Sequence, residues 1–427
     1  MAVTKRKTAP INKKIIIYNK DNILNKYKKI STSMQKGDNV IKKNKIKISK
    51  KKLLIGVLSW NSLHGDNEGP YSSHVSEIAA ALNRKGHDVH IFTRKNEQKS
   101  LKKIDSVFYH FFNIDGSLPL MDRGKALSHS IKKDFFSIEK TKGEFDIVYL
   151  YGLEAGLAAK QLMKSRNKKL VLALMDHEMN DSNKSDKIDP LQKGLIDFCD
   201  EFILINKAMS QDQKKNYAHL KKKVHFLADG FKSSNFTGLT DHGEIKKRYN
   251  LGPVDPIVLF VGSLDYKNGP DIIIDAIPHL LHKHPQLRFI MVGEGELGWN
   301  FRIHARYLNF EYALRLLGHK EGWELHELFQ ACDIIAIPNR EFNSPYQVLA
   351  GWSAQKPVVV TYEGSYGLIN HDKNGLQIYQ KPDSFIWAID TIFSDWDHAY
   401  KLAHKGWEIV KDKYSWDSVA QKMLAIY

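Results

Sequence analysis

Several charged and polar side chains lie just beyond short apolar segments of the chain. His177 and Glu178 follow one such segment, and Lys267 and Glu341 follow two others. A carboxylate or an imidazole can bind hydroxyl groups and move protons, and an exposed lysine can hold an anion. If the apolar segments are parallel strands, their carboxyl ends meet at one edge of a sheet, where ligands bind.

Strand patterns alternate with helix patterns after residue 52. Residues 53–58 form a continuous apolar run, typical of a strand buried on both faces. Apolar residues then repeat at helical spacing over 75–82, and residues 89–92 return as a strand. Further strands are predicted at 146–150, 170–174, 202–205, 257–261, 287–292, 333–337 and 357–360, with helices at about 154–164 and from Pro270.

This alternation predicts parallel strands joined by right-handed crossovers, in two successive blocks. The predicted fold class is α/β, with two doubly wound Rossmann-like domains that face a cleft. The first domain is expected over residues 51–240 and the second over 241–405. Residues 406–427 are expected to form helices that cross back to the first domain.

The positive charge is concentrated at the start of the chain. Residues 1–52 hold 17 Lys or Arg and 2 Asp or Glu, so they carry +15 of the formal net charge of +16. Such a composition in residues 1–50 is typical of a disordered tail, and a weak electrostatic contact with anionic lipid or nucleic acid is the alternative. Because the rest of the chain is nearly neutral, specific nucleic-acid binding is not expected. No apolar run reaches transmembrane length, which favours a cytoplasmic protein that is peripheral at the inner membrane face at most.

The two cysteines are far apart in sequence and lie in apolar contexts. Cys199 and Cys332 are interpreted as buried free thiols of a reducing compartment. No Cys or His spacing predicts a zinc site, so no metal and no bound cofactor are expected.

Several motifs occur in an order and spacing that resemble glycosyltransferase family 4. They extend over nearly the whole chain after the basic tail. In chain order they are 55–60, 69–74, 84–90, Asp146-Ile147-Val148, 261–264, Gly269-Pro270-Asp271, Val292-Gly293-Glu294-Gly295, 317–319, 352–359, Asn374-Gly375-Leu376 and Tyr414-Ser415-Trp416.

The resemblance implies a GT-B fold and a retaining transfer of a hexose from a nucleotide-sugar to a glycan or other acceptor. It also implies that the domain at 51–240 binds the acceptor and the domain at 241–405 binds the nucleotide-sugar. The leaving diphosphate would then need cations and backbone N–H groups aimed at it. At the positions where the family has its arginine and lysine, this chain has Ser263 and Asn268, while Lys267 lies one residue early. The family's Gly-Gly loop corresponds to Gly69-Pro70, and Pro70 lacks an N–H.

At the sugar end the family's two glutamates correspond to Phe342 and Ala350, with Glu341 adjacent to the first. Glu341, His177 and Glu178 are therefore the candidate catalytic residues. The candidate substrate- and phosphate-binding residues are Gly69, His74, Ser263, Lys267, Asn268, Gly293 and Glu294.

Three functions remain open from the sequence. The first is an active transferase that uses these shifted residues. The second is a catalytically inactive homologue that binds a glycan or a nucleotide-sugar, or forms a heteromer with an intact glycosyltransferase. The third is a protein that keeps the fold and acts at a membrane through its basic tail.

Overall fold

The N-terminal part of the chain contains an eight-stranded sheet. The computed structural model describes residues 51–65, 71–163, 168–175, 189–206, 220, 224–238, 240–341, 344–365 and 367–426. The strand order is β3-β4-β2-β1-β5-β6-β7-β8, and all neighbours are parallel except the β3–β4 pair. The strands are β1 (Leu54–Ser59), β2 (Asp88–Arg94), β3 (Ser100–Ile104), β4 (Val107–Phe112), β5 (Ile147–Tyr151), β6 (Lys169–Met175), β7 (Glu201–Asn206) and β8 (Val224–Ala228). The helices are α1 (Ser72–Arg84), α2 (Leu120–Lys142), α3 (Leu153–Leu162) and α4 (Pro190–Phe198).

The C-terminal part contains a six-stranded, fully parallel sheet in the order β11-β10-β9-β12-β13-β14. Its strands are β9 (Ile257–Val261), β10 (Arg288–Val292), β11 (Leu314–Leu316), β12 (Ile334–Ile337), β13 (Val358–Thr361) and β14 (Leu376–Ile378). Its helices are α5 (His242–Arg248), α6 (Pro270–Lys283), α7 (Gly298–Tyr307), α8 (Gly322–Ala331), α9 (Tyr346–Ser353), α10 (Tyr362–Ser365), α11 (Pro382–Ser394) and α12 (Trp396–Ile409).

The two sheets explain the continuous apolar runs in the sequence, because helices cover both faces of each sheet. Strand β1 is buried from Ile55 onward, and β9, β10, β12 and β13 are buried along nearly their whole length. The predicted α/β class with doubly wound parallel sheets is therefore confirmed. The β3–β4 hairpin is outside the predicted pattern, since β3 is mostly exposed and its turn uses Asp105 and Ser106 at positive φ instead of glycine.

The chain crosses from the second domain to the first at its C-terminal end. A π-helix, Val410–Tyr414, continues α12, and Val410 and Tyr414 belong to the core under the second sheet. The last helix, α13 (Trp416–Leu424), instead buries Trp416, Val419 and Met423 in the core that α1 covers. Within the part of the chain that the structure describes, no helix is both long and apolar enough to cross a membrane.

Two histidines form a buried polar pair in the N-terminal sheet. His90 Nδ1 lies 3.0 Å from His110 Nε2, and His90 Nε2 lies 3.1 Å from Lys142 Nζ. A lysine ammonium can only donate, so His90 Nε2 accepts and His90 Nδ1 carries the proton that is donated to His110. Burial, assisted at His90 by the nearby Lys142 charge, lowers the pKa of both rings to about 4.

The histidine pair predicts a loss of stability in mild acid. The folded-state pKa values of about 4 lie below the ordinary value of 6.5, so the stability is full above pH 6.5 and declines as the pH falls towards 4. We expect the protonation of each ring to lower the free energy of unfolding by about 3 kcal/mol across this window. Chemical denaturation at a series of pH values measures it.

In the double variant H90Q/H110Q, the free energy of unfolding should change less between pH 6.5 and pH 4 than in the parent protein. His319→Gln is the matched control, because the His319 side chain is 72% exposed. Burial also lowers the pKa of His242 to about 4. Because His242 is present in the parent protein and in both variants, it contributes equally to the pH dependence of their stability. If the free energy of unfolding of H90Q/H110Q falls with pH as steeply as that of the parent protein, the histidine pair does not cause the loss of stability in acid.

Candidate functional site

The candidate site is built on the carboxyl edge of the C-terminal sheet, meaning the segments that directly follow β9, β10, β12 and β13. The ends of β9 and β10 are tied by two hydrogen bonds: Gly262 N donates to Val292 O at 2.9 Å and Leu264 N donates to Glu294 O at 2.9 Å. The backbones approach so closely at Gly293, where φ is +136°, that a Cβ atom would lie 1.9 Å from Gly262 O. Only glycine fits there.

The two residues at the predicted phosphate positions differ in what they offer a ligand. Ser263 is exposed just beyond β9, and its N–H and hydroxyl bond to none of the residues that the structure describes. Asn268 is only 8% exposed, and its backbone N–H and side-chain amide both donate to Asp265 Oδ1, at 3.0 and 2.9 Å. Asn268 therefore stabilises the loop, and Ser263 is available to a ligand.

Lys267 lies in the same loop with its side chain exposed. Its carbonyl accepts a hydrogen bond from Arg340 N at 2.8 Å, which fixes the backbone of the loop. Its ammonium forms no ion pair with any described residue. Lys267 is thus a cation that the loop holds in place and leaves free for an anion.

Arg340 is a second cation at the carboxyl edge, and no sequence motif predicted it. Its guanidinium forms a bidentate pair with Asp271 at 2.8 and 2.6 Å, donates to Tyr266 O at 2.6 Å and stacks on the Tyr266 ring, 3.7 Å from the centroid. The hydrogen bonds to Asp271 raise its pKa above the usual value. This charge is already neutralised, so Arg340 joins the β12 loop to α6.

At the sugar end, the candidate Glu341 and the second of the family's acidic positions, Ala350, have different surroundings. Glu341 is exposed in the segment after β12 and has no partner among the described residues. Ala350 is fully buried in α9 and belongs to the apolar core beside Trp352. Close by, Gln347 Nε2 donates to Val261 O at 3.3 Å, while its buried Oε1 has no partner in the described part of the chain. Gln347 was not a predicted site residue.

His74 lies in the first domain, at the N-terminal end of α1. Its side chain is 2% exposed, and Nδ1 lies 2.8 Å from Asp229 Oδ1, just beyond β8. The ring also packs against Tyr151 and Trp416, with centroids 5.4 and 5.1 Å away. Through these contacts His74 packs α1 against the C-terminal helix. Its substrate-binding role remains a prediction.

The remaining predicted residues divide into two groups. Gly293 and Glu294 lie at the carboxyl edge with Ser263 and Lys267, and Glu294 is exposed. Gly69, His177 and Glu178 lie outside the described residues, as does Phe342. Among the described residues, no group of three His, Cys, Asp or Glu side chains is arranged to hold a metal ion. Both cysteines are buried free thiols, and burial raises the pKa of Cys332 to about 12.

The architecture matches solved glycosyltransferases. The structure of a glycosyltransferase from Rickettsia africae superposes with a TM-score of 0.61 over 88% of this chain and 98% of the other, at 17% sequence identity. This similarity shows the fold. The chain therefore has the two-domain α/β GT-B fold, as the sequence predicted.

Sequence comparison agrees with the fold. The family model described as "Glycosyl transferases group 1" matches residues 255–395, so the chain carries a glycosyl transferase group 1 domain there. An uncharacterized glycosyltransferase of Methanocaldococcus jannaschii is 27% identical over 234 residues, which are 53% of this chain and 59% of that protein.

A D-inositol 3-phosphate glycosyltransferase of Corynebacterium urealyticum is 24% identical over 247 residues, which are 55% of this chain and 58% of that protein. The chain thus covers less than two thirds of the length of these two relatives. The predicted resemblance is confirmed at the level of the group 1 domain, and assignment to family 4 remains a prediction.

Proposed function

We propose that this chain transfers a hexose from a nucleotide-sugar to a glycan or other acceptor, with retention of the anomeric configuration, as in glycosyltransferase family 4. The observation that carries the proposal is the loop after β9. There the Lys267 ammonium and the N–H of Ser263 bond to none of the residues that the structure describes, and Ser263 lies beside Gly293 at the carboxyl edge of the parallel sheet. Edges of this kind bind ligands in open α/β sheets.

In the proposed reaction an acceptor hydroxyl forms a bond to the anomeric carbon, while the bond from that carbon to the phosphate oxygen breaks. The leaving nucleoside diphosphate takes the electron pair, and the hydroxyl proton passes to it or to solvent. Lys267 and the Ser263 N–H would stabilise the negative charge that develops on the diphosphate. Glu341 would bind sugar hydroxyls, and the apolar position Ala350 takes no part.

A second candidate is a binding homologue without transfer activity, which acts alone or as the partner of an intact transferase. The charges at the carboxyl edge favour it. Arg340 is neutralised by Asp271, which leaves Lys267 as the free cation among the described residues of this edge. Five carboxylates stand in the same segments and oppose a diphosphate: Asp265, Glu294, Glu296, Glu341 and Glu363.

Calorimetry with UDP-, GDP- and ADP-hexoses, followed by a transfer assay on any donor that binds, separates the two candidates. Binding and turnover are the results expected of a transferase. Binding without turnover supports the second candidate. A folded protein that binds none of these donors would overturn the first proposal. Ser263→Arg adds the cation that the family resemblance implies, and we expect it to tighten donor binding.

A further inference from the structure

Exposed aromatic side chains are concentrated in the C-terminal domain, and four rings form one continuous group at its β14 edge. We name this group the aromatic platform; it consists of Tyr362, His371, Tyr379 and Trp387. Tyr362 is 42% exposed, Tyr379 66% and Trp387 47%, and His371 is half-buried between them. Apolar surface left in water in one patch is typical of a binding site.

The platform rings lie close together and near to parallel. The Tyr362 and Tyr379 centroids are 5.2 Å apart, with an angle of 39° between the ring planes. His371 stacks on Tyr362 at 6.5 Å and 25°, and on Trp387 at 5.9 Å and 22°. The exposed fractions of Tyr362, Tyr379 and Trp387 leave apolar ring surface open to solvent, which can pack against the flat apolar faces of sugar rings.

The platform is neutral and carries hydrogen-bonding groups at its border. Gln377 N donates to His371 Nδ1 at 3.0 Å, so in the neutral ring the proton is on Nε2 and can be donated to a hydroxyl. The two phenol groups of Tyr362 and Tyr379 add further donors and acceptors. The charged residues within two positions of the platform rings are two acidic and two basic ones, Glu363, Asp372, Lys373 and Lys381, whose balanced signs give no field that selects an anion.

The platform is joined to the candidate site by short connections. Tyr362 and Tyr379 directly follow β13 and β14, at the carboxyl ends of these strands. Thr361 Oγ1 donates to Asn339 O, and Gln380 Nε2 donates to Arg340 O at 3.5 Å. The rings therefore lie beside the segment that holds Arg340 and Glu341.

We propose that the aromatic platform binds a neutral glycan chain by stacking, and that this chain is the acceptor or an extension of it. The identification as acceptor rests on the proposed transfer function, whereas the binding itself does not. Neutral oligosaccharide is favoured over a membrane surface because the two lysines at the platform border, Lys373 and Lys381, are balanced by two carboxylates, so the platform has no excess of the positive charge that anionic lipid requires.

The test uses the full chain and neutral oligosaccharides of several linkages: maltoheptaose, laminarihexaose, cellohexaose and mannohexaose. Polygalacturonate serves as the anionic comparison, since the basic tail can bind it. Isothermal titration without any nucleotide-sugar measures the affinity. We expect Trp387→Ala and Tyr379→Ala each to weaken binding of at least one neutral chain up to about tenfold.

Helix α7 supplies matched controls, because Trp299 is 71% exposed and Tyr307 82% exposed on a different helix of the same domain. Trp299→Ala and Tyr307→Ala should bind as the parent protein does. The proposal is overturned if no neutral chain binds, if only polygalacturonate binds, or if the control variants weaken binding equally. Since no donor is present, glycan binding can succeed where donor binding fails, and the two proposals fail separately.

Discussion

Gly293→Ala is expected to lower the free energy of unfolding by about 3–5 kcal/mol, among the larger effects of single substitutions. The new Cβ would lie 1.9 Å from Gly262 O and 2.8 Å from its carbonyl carbon, so the ends of β9 and β10 must separate. The backbone must also keep a φ of +136°, which alanine rarely adopts. Thermal and chemical denaturation measure the loss.

Gly86→Ala separates the steric clash from the backbone strain. Gly86 also has a positive φ, +96°, but a Cβ there would meet no atom within 4 Å. We expect this control to cost only about 1–2 kcal/mol from backbone strain. Equal losses in the two variants would mean that the strands tolerate separation at Gly293, and that the edge is less rigid than the hydrogen bonds around it indicate.

The parts of the fold that sequence predicts well are those that two-sided burial dictates. A strand covered by helices on both faces is apolar at every position, and β9 begins and ends at the predicted residues. Pro270 begins α6 as expected, since proline suits a first helical turn. Strand β3 lies at the edge and faces water, so Ser100–Ile104 carries no continuous apolar signal.

The contacts that define the candidate site are harder to predict, because they join residues that are distant in sequence. Arg340 reaches Asp271 across 69 positions, and His74 reaches Asp229 across 155. No periodicity or local motif encodes such pairs. The positions of Ser263 and Lys267 after β9 were predictable, because a correctly predicted strand also defines which residues directly follow it.

The buried positions show why the carboxyl edge differs from what the family resemblance implies. Ala350 is enclosed in the core with Trp352, and the Trp352 indole donates to Asn374 O at 2.9 Å. A glutamate at 350 would have to be buried among these groups, which is costly without a partner. The helix that would carry the second acidic residue is thus a packing element, and the proposed sugar recognition would have to use other groups.

Lys267→Met is expected to weaken binding of the nucleoside diphosphate about tenfold or more and to slow any transfer by ~10²–10³. Methionine keeps the length and apolar character of the side chain and removes the ammonium. Because Arg340 is paired with Asp271, no other free cation in the described part of the carboxyl edge can take over. Calorimetry with UDP, GDP and ADP measures the affinity for the nucleoside diphosphate alone, without the sugar.

Lys401→Met is the matched control, since Lys401 is an exposed lysine of the same domain on α12 and has no partner among the described residues. It should bind nucleotides as the parent protein does. If Lys267→Met and Lys401→Met behave alike while the parent protein still binds a nucleotide, the phosphates are held elsewhere and the assignment of Lys267 fails. If only Lys267→Met loses nucleotide binding, at an unchanged melting temperature, then this one lysine takes the place of the arginine and lysine that the resemblance to glycosyltransferase family 4 implies.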